Sequence, residues 1–195
     1  MVQNKGYKMA EFPLILKGAR IELRTLEPTF ENAKMIFDVV VANRDYLLQW
    51  LPWASTEITG KPEDSFDFLL KMQRNRKDNI EYGFGIFLDN KYIGNISIFD
   101  VSEKRKSGEI GYWLVKDAMG KGYMTEAVKL IENAFFESFG NRIQIKCDTR
   151  NIPSQNVPKR LNYHLDGEIR QDNTDTSGKF RNTLIFSKLK SEWEK

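Results

Sequence analysis

The sequence holds little of what metal, thiol or disulfide chemistry requires. Among its 195 residues there is one cysteine, Cys147, and one histidine, His164. A lone cysteine cannot form an intramolecular disulfide. No grouping of His, Cys and carboxylates has the spacing of a metal site, so no metal is expected. Long apolar runs are missing as well. None approaches the roughly 20 residues needed to cross a bilayer, and residues 1–12 lack the apolar centre of a signal peptide. A soluble, cytoplasmic protein without a membrane partner is therefore expected. Charge of one sign is not in excess: 30 Lys and Arg against 27 Asp and Glu leave a formal charge of +3, and these charges are scattered. With no basic stripe interleaved with aromatics, direct nucleic-acid binding is not expected either. Internal repeats are also absent, which excludes solenoid and array architectures.

What is present suits one domain. A chain of this length with 41% hydrophobic residues can bury a sizeable core. Residues 1–12 mix charge, glycine and methionine without a period and read as a loosely ordered lead-in; residues 13–190 read as the domain and residues 191–195 as a C-terminal tail. A first strand pair is expected over residues 14–25, where Leu14-Ile15-Leu16 and Ile21-Glu22-Leu23-Arg24 flank a Lys-Gly turn. Ala33, Ile36, Phe37, Val40 and Val41 recur at helical spacing and predict a helix from Pro28 to about Asn43. An aromatic cluster ending in Trp50-Leu51-Pro52-Trp53 follows, and then a second helix after Lys61-Pro62.

Three antiparallel strands come next: residues 82–88, residues 92–99 across an Asp89-Asn90-Lys91 hairpin turn, and residues 107–116. A helix over about residues 120–139 presents Ala127, Leu130, Ile131, Ala134 and Phe135 to a core, with Gly140 as its stop. A strand over residues 142–147, a short helix opened by Asn151-Ile152-Pro153 and two closing strands complete an α+β order.

The join between the third of those antiparallel strands and the long helix carries the chemistry. Glu109-Ile110-Gly111-Tyr112-Trp113-Leu114 leads into Met119-Gly120-Lys121-Gly122-Tyr123-Met124-Thr125. A strand, a glycine turn and a helix N-terminus make a place for a phosphate, because the first N–H groups of a helix lack internal partners and carry the positive end of the macrodipole. The spacing matches neither a Walker A loop nor a dinucleotide fingerprint, whose third glycine is replaced by Thr125.

The stretch resembles the acetyl-CoA pyrophosphate loop of the GNAT acyltransferases, written Arg/Gln-x-x-Gly-x-Gly/Ala. Met119 takes the Arg/Gln place, Gly122 the central glycine and Met124 the last small residue, so two of the three marked positions depart. The run Gly-Lys-Gly-Tyr-Met-Thr-Glu-Ala, together with the preceding Glu-Ile-Gly-Tyr-Trp-Leu, is similar to the RimJ/RimL-like ribosomal-protein N-terminal acetyltransferase branch. The resemblance covers about residues 14–190. It implies a GNAT fold: a mixed, mostly antiparallel sheet with flanking helices, splayed to admit the pantetheine arm. It implies acetyl-CoA as co-substrate and an amine acceptor, in this branch a protein N-terminus.

Carried onto this chain, the resemblance assigns backbone N–H groups of Gly120, Lys121, Gly122, Tyr123, Met124 and Thr125 to the pyrophosphate. It assigns those of Leu114 and Val115 to the pantetheine and oxyanion, and the Asn151 amide to the pantetheine arm. Glu109 is the candidate base, with a solvated strand-edge residue as the plain alternative. Pro158 occupies the place of the tyrosine that serves as acid in many of these proteins, so Ser154, one helical turn earlier, is the candidate proton donor to the leaving thiolate. Ser154 also reads as a local helix cap, and Asn151 as an N-cap. His164 reads as a strand residue and Cys147 as a small core side chain. Trp50 and Trp53 read equally as cleft or as packing. The expected activity is direct acetyl transfer in a ternary complex. A small-molecule amine acceptor and a non-catalytic acyl-CoA-binding module remain open, as does a homo-oligomer.

Overall fold

The computed structural model describes residues 12–194. Residues 1–11 of the expected lead-in lie outside the described residues, whereas Phe12 is buried and stacks on Tyr82 with ring centroids 4.2 Å apart. The expected tail also includes ordered chain. Lys190–Trp193 form a short helix, and the Trp193 indole donates to Asn133 Oδ1 at 2.8 Å.

The elements follow in the order β1 Ile15–Lys17, β2 Glu22–Arg24, α1 Phe30–Leu47, α2 Pro62–Lys77, β3 Tyr82–Leu88, β4 Lys91–Ser102, β5 Ser107–Leu114, α3 Tyr123–Ser138, β6 Arg142–Asp148, α4 Ile152–Arg160, β7 His164–Thr174, β8 Phe180–Leu189 and α5 Lys190–Trp193. The eight strands form one sheet in the order β1-β2-β3-β4-β5-β6-β8-β7. Every pairing is antiparallel except β5 with β6, which α3 connects.

Local chemistry sets the element ends. Thr29 caps α1 by accepting the Asn32 N–H at 3.2 Å, and Ala33, Ile36 and Val40 form its buried stripe. This helix runs one turn beyond the expected Asn43 because Leu47 is still core-facing, 1% exposed. Pro62 opens α2, where the Asp64 carboxylate accepts the N–H groups of Gly60 and Lys61 at 2.8 and 2.9 Å. Left-handed Asp89 and Asn90 turn the β3–β4 hairpin. At the far end of α3, Gly140 is required for space rather than for a left-handed backbone: a Cβ there would run into the Phe135 ring.

Two cores sandwich the sheet. The larger packs α3 on one face through Ala127, Val128, Ile131, Phe135 and Phe136. The smaller packs α1 and α2 on the other through Ala33, Ile36, Val40 and Leu69.

One feature of the register positions the site. β5 and β6 pair only from Ser107–Arg142 to Ile110–Ile145. Beyond that, residues 111–114 stay with β4 and residues 146–148 stay with β8, so the two parallel strands part company. The expected splay is there, and both strands present backbone to the gap.

Candidate active site

A cavity of about 890 Å³ opens at this splay and reaches both faces of the sheet. Period-two alternation along β5 puts Glu109, Gly111 and Trp113 on the α1 face, and Ile110, Tyr112 and Leu114 on the α3 face. The cavity therefore has two differently built walls.

On the α3 face lies the glycine turn. β5 ends at Leu114, and a 3-10 turn over Lys116–Ala118 precedes the glycines, so α3 begins at Tyr123 rather than at the expected Gly120. Gly120 and Gly122 have φ of +73° and +83°, values that an L side chain rarely adopts. Gly122 is the N-cap residue of α3, so the first N–H groups of that helix are offered without a side-chain cap. Gly120, Gly122, Tyr123, Met124 and Thr125 all line the cavity. Lys121 does not; its carbonyl faces the other way and accepts from Arg20 Nη1 at 2.8 Å.

Leu114 lines the cavity, but Val115 does not, and the Val115 N–H is already donated to the Ile93 carbonyl at 2.9 Å. That corrects the expectation for Val115. In an antiparallel pair hydrogen-bonded residues alternate, so if Val115 donates to β4, then Leu114 and Tyr112 direct their N–H groups to the opposite edge, into the splay. Tyr112, not Val115, joins Leu114 on the strand edge that faces the splay. Sequence reading could not find this, because it depends on which parity of β5 faces β4.

α4 forms the third side. Asn151 is its N-cap and accepts the Ser154 N–H at 3.1 Å, so the capping reading of Asn151 holds while the residue also lines the cavity. Ser154 is the third residue of that helix and does not itself cap it. Its Oγ points at the Tyr112 hydroxyl, 3.4 Å away, and the Tyr112 hydroxyl donates to the Ser154 carbonyl at 3.0 Å. Burial raises the Tyr112 phenol well above its ordinary value, so it stays protonated. Cys147 sits beside this pair at the cavity wall. Burial pushes its thiol up to about 11, against a smaller downward pull from Ser154. It is both core and cavity wall.

On the α1 face, Glu109 is 9% exposed and is not a solvated edge residue. Its Oε2 accepts from Gln144 Nε2 at 2.7 Å and pairs with Lys146 Nζ at 2.8 Å. Among the described residues none donates to Oε1. Gln144 and Lys146 were not singled out in the sequence; they reach Glu109 because parallel pairing sets Gln144 directly beside it. Tyr46 and Leu47 at the end of α1 and Trp50 and Leu51 just beyond it, with Phe99 and Trp113, make a largely aromatic wall around this end. Trp53 does not line the cavity; it packs behind, 5.9 Å from the Trp113 ring. Asp148 and Arg181 continue the floor, 3.4 Å apart. Burial opposes ionisation of Asp148, but the hydrogen bonds of Arg150 and the charges of Arg150 and Arg181 hold its carboxyl below the usual range. His164 is exposed, pairs with Asp166 at 3.0 Å and lies away from the cavity.

The two walls supply complementary services: unpaired backbone donors and hydroxyls on one side, a carboxylate anchored by one oxygen on the other. No grouping of His, Cys, Asp and Glu able to hold a metal ion occurs among the described residues, and no helix among them is long and apolar enough to cross a membrane.

Comparison with known proteins agrees with this geometry. The family model for the acetyltransferase (GNAT) domain matches residues 20–164. YdaF of Bacillus subtilis (strain 168), a candidate ribosomal N-acetyltransferase by name, is 30% identical over 177 residues, covering 89% of this chain and 93% of that protein. The ribosomal-protein-serine acetyltransferase of Escherichia coli (strain K12) is 26% identical over 141 residues, 72% of this chain and 78% of its own. Among solved structures, RimL, a ribosomal L7/L12 alpha-N-protein acetyltransferase in complex with coenzyme A, superposes with a TM-score of 0.83 at 21% identity, covering 90% of this chain and 97% of that one. The splayed sheet, the glycine turn at the head of α3 and these matches together make the chain a member of the GNAT acetyltransferase family.

Proposed function

We propose that this acetyltransferase moves the acetyl group of acetyl-CoA to the α-amine of a protein N-terminus, of the ribosomal-protein class, by direct attack in a ternary complex. The observation that carries the reading is the single cavity joining the glycine turn and the Ser154–Tyr112 pair to Glu109. A thioester on one face and an amine on the other meet within it. The RimL structure is a complex with coenzyme A, and the two relatives above carry names of ribosomal acetyltransferases, which supports both halves of the reading.

The chain's groups then divide the work. N–H groups of Gly122, Tyr123 and Met124 face the pyrophosphate, and those of Tyr112 and Leu114 hydrogen-bond the pantetheine and polarise the thioester carbonyl. Glu109 Oε1 takes the proton of the attacking ammonium, directly or through one water, while Gln144 and Lys146 hold Oε2 still. The N–C bond forms and the C–S bond breaks. Ser154 Oγ, held by the Tyr112 hydroxyl, gives a proton to the leaving thiolate and is reprotonated by the second proton that the attacking nitrogen sheds as it becomes an amide. The balance is one amide and one CoA thiol from one amine and one thioester, with no covalent enzyme intermediate.

The test is an acceptor panel with acetyl-CoA, following thiol release: peptides with free α-amines, the same peptides with blocked termini, polyamines and aminoglycosides. Release confined to free α-amines supports the reading. Turnover of the small amines alone makes the protein a small-molecule acetyltransferase, and CoA binding without turnover of any amine makes it a binding module.

A further inference from the structure

The glycine turn brings little charge of its own to a diphosphate. Met119 has no donor, and Lys121 does not line the cavity. A guanidinium from a distant part of the chain lies against the turn. Arg20, on the β1–β2 hairpin, donates Nη1 to the Lys121 carbonyl at 2.8 Å, and its guanidinium carbon stands 4.9 Å from the centre of the Tyr123 ring. A Cβ at Gly122 would sit 3.3 Å from Arg20 Nη2. Arg20 is itself held by Glu126, one turn into α3: its Nε and its backbone N–H each donate to one carboxylate oxygen at 2.9 Å. Gly18 makes the close approach possible, since a Cβ there would collide with that same carboxylate. Burial pushes Glu126 up, but these hydrogen bonds and the Arg20 charge bring its carboxyl below the usual range, so it remains a carboxylate.

A planar trans peptide directs its C=O and N–H in opposite directions. With the Lys121 carbonyl turned toward Arg20, the Gly122 N–H points away from the hairpin and toward the cavity that Gly122 lines. We infer that Arg20 is the positioning residue of the diphosphate subsite: it fixes the Lys121–Gly122 peptide so that the Gly122 N–H faces the anion. Glu126 orients Arg20. The ligand class is the pyrophosphate of a CoA thioester, so the inference rests on the CoA reading above.

The experiment measures binding of CoA and of pantetheine, which lacks the diphosphate and nucleotide, by ligand-observed NMR titration of the full chain. The proteins are wild type, Arg20→Gln, Arg20→Lys and Glu126→Gln. Arg20→Gln is expected to weaken CoA by about tenfold or more, the worth of a lost charge-assisted contact and a misdirected donor, with pantetheine affinity unchanged. Arg20→Lys keeps the charge but not the planar fork and falls between the two. Glu126→Gln shares the loss, and its effect does not add to that of Arg20→Gln in the double variant. Unchanged CoA affinity in Arg20→Gln overturns the inference. An equal loss for CoA and pantetheine overturns it as well, because that is the signature of a merely structural residue. Should Arg20→Gln fail to fold, the same two comparisons are read from Arg20→Lys and Glu126→Gln. A wild-type protein that binds no CoA removes the CoA reading itself, which is distinguishable from either result.

Discussion

Lys146 Nζ and Gln144 Nε2 converge on one oxygen of Glu109, at 2.8 and 2.7 Å, and leave the other facing the cavity. A carboxylate held in this way is oriented without being consumed. Replacing Glu109 with the isosteric amide keeps the shape and removes the proton acceptor. The expected outcome for Glu109→Gln is a fall in kcat of about 100-fold or more, with the CoA dissociation constant unchanged. Steady-state kinetics beside a CoA titration check this; a wild-type rate removes Glu109 from the mechanism.

Ser154 and Tyr112 share a hydroxyl–hydroxyl contact, so their substitutions are expected to be coupled. Ser154→Ala and Tyr112→Phe each slow thiolate departure, and the double variant is little worse than the poorer single one. Tyr112→Phe also leaves the Ser154 carbonyl without its donor, which costs about 1 kcal/mol of stability. Strictly additive losses in a double-mutant cycle contradict this coupling.

The residues on the two cavity walls were not equally legible in the sequence. The element order and the glycine turn announce themselves through local pattern, alternation and Gly spacing, whereas Glu109 and Ser154 are reached only through the family resemblance. What stayed hidden depends on pairing between distant segments. That Val115 donates to Ile93 and so leaves the cavity edge to Leu114 and Tyr112 is a matter of strand parity. Gln144 and Lys146 reach Glu109 only through the parallel register of β5 and β6, and Arg20 reaches Lys121 across 101 positions of chain. No window of sequence contains either partner set. The end of α1 is not legible locally either, because Leu47 is buried by tertiary packing beyond the expected stop at Asn43.

Cys147 lines the cavity with its thiol raised to about 11. At pH 8 the thiolate fraction is about 100-fold below that of an ordinary cysteine, and alkylation by iodoacetamide is expected to be slower by a similar factor. Bound CoA slows it further by covering the site. Mass spectrometry of the alkylated protein over time checks both; rapid labelling at pH 8 contradicts the burial argument.

Asp148 bridges Arg150 and the buried Arg181. Its folded pKa is depressed, so its contribution to stability is fully present above the unfolded value near pH 4 and is lost as the pH falls through the folded value. Asp148→Asn is expected to cost about 3 kcal/mol at pH 7 by leaving Arg181 poorly paired. The gap in Tm between variant and wild type then narrows as the pH drops below about 4. A constant gap across that range contradicts this account.

The most direct measurement of the central claim is tandem mass spectrometry of extracted ribosomal proteins after incubation with the purified enzyme and isotopically labelled acetyl-CoA. The account predicts label on the α-amine of one or a few of these proteins, and none when Glu109→Gln replaces the wild type. Label on no ribosomal-protein terminus, or label spread over lysine side chains to the same extent with either enzyme, contradicts it.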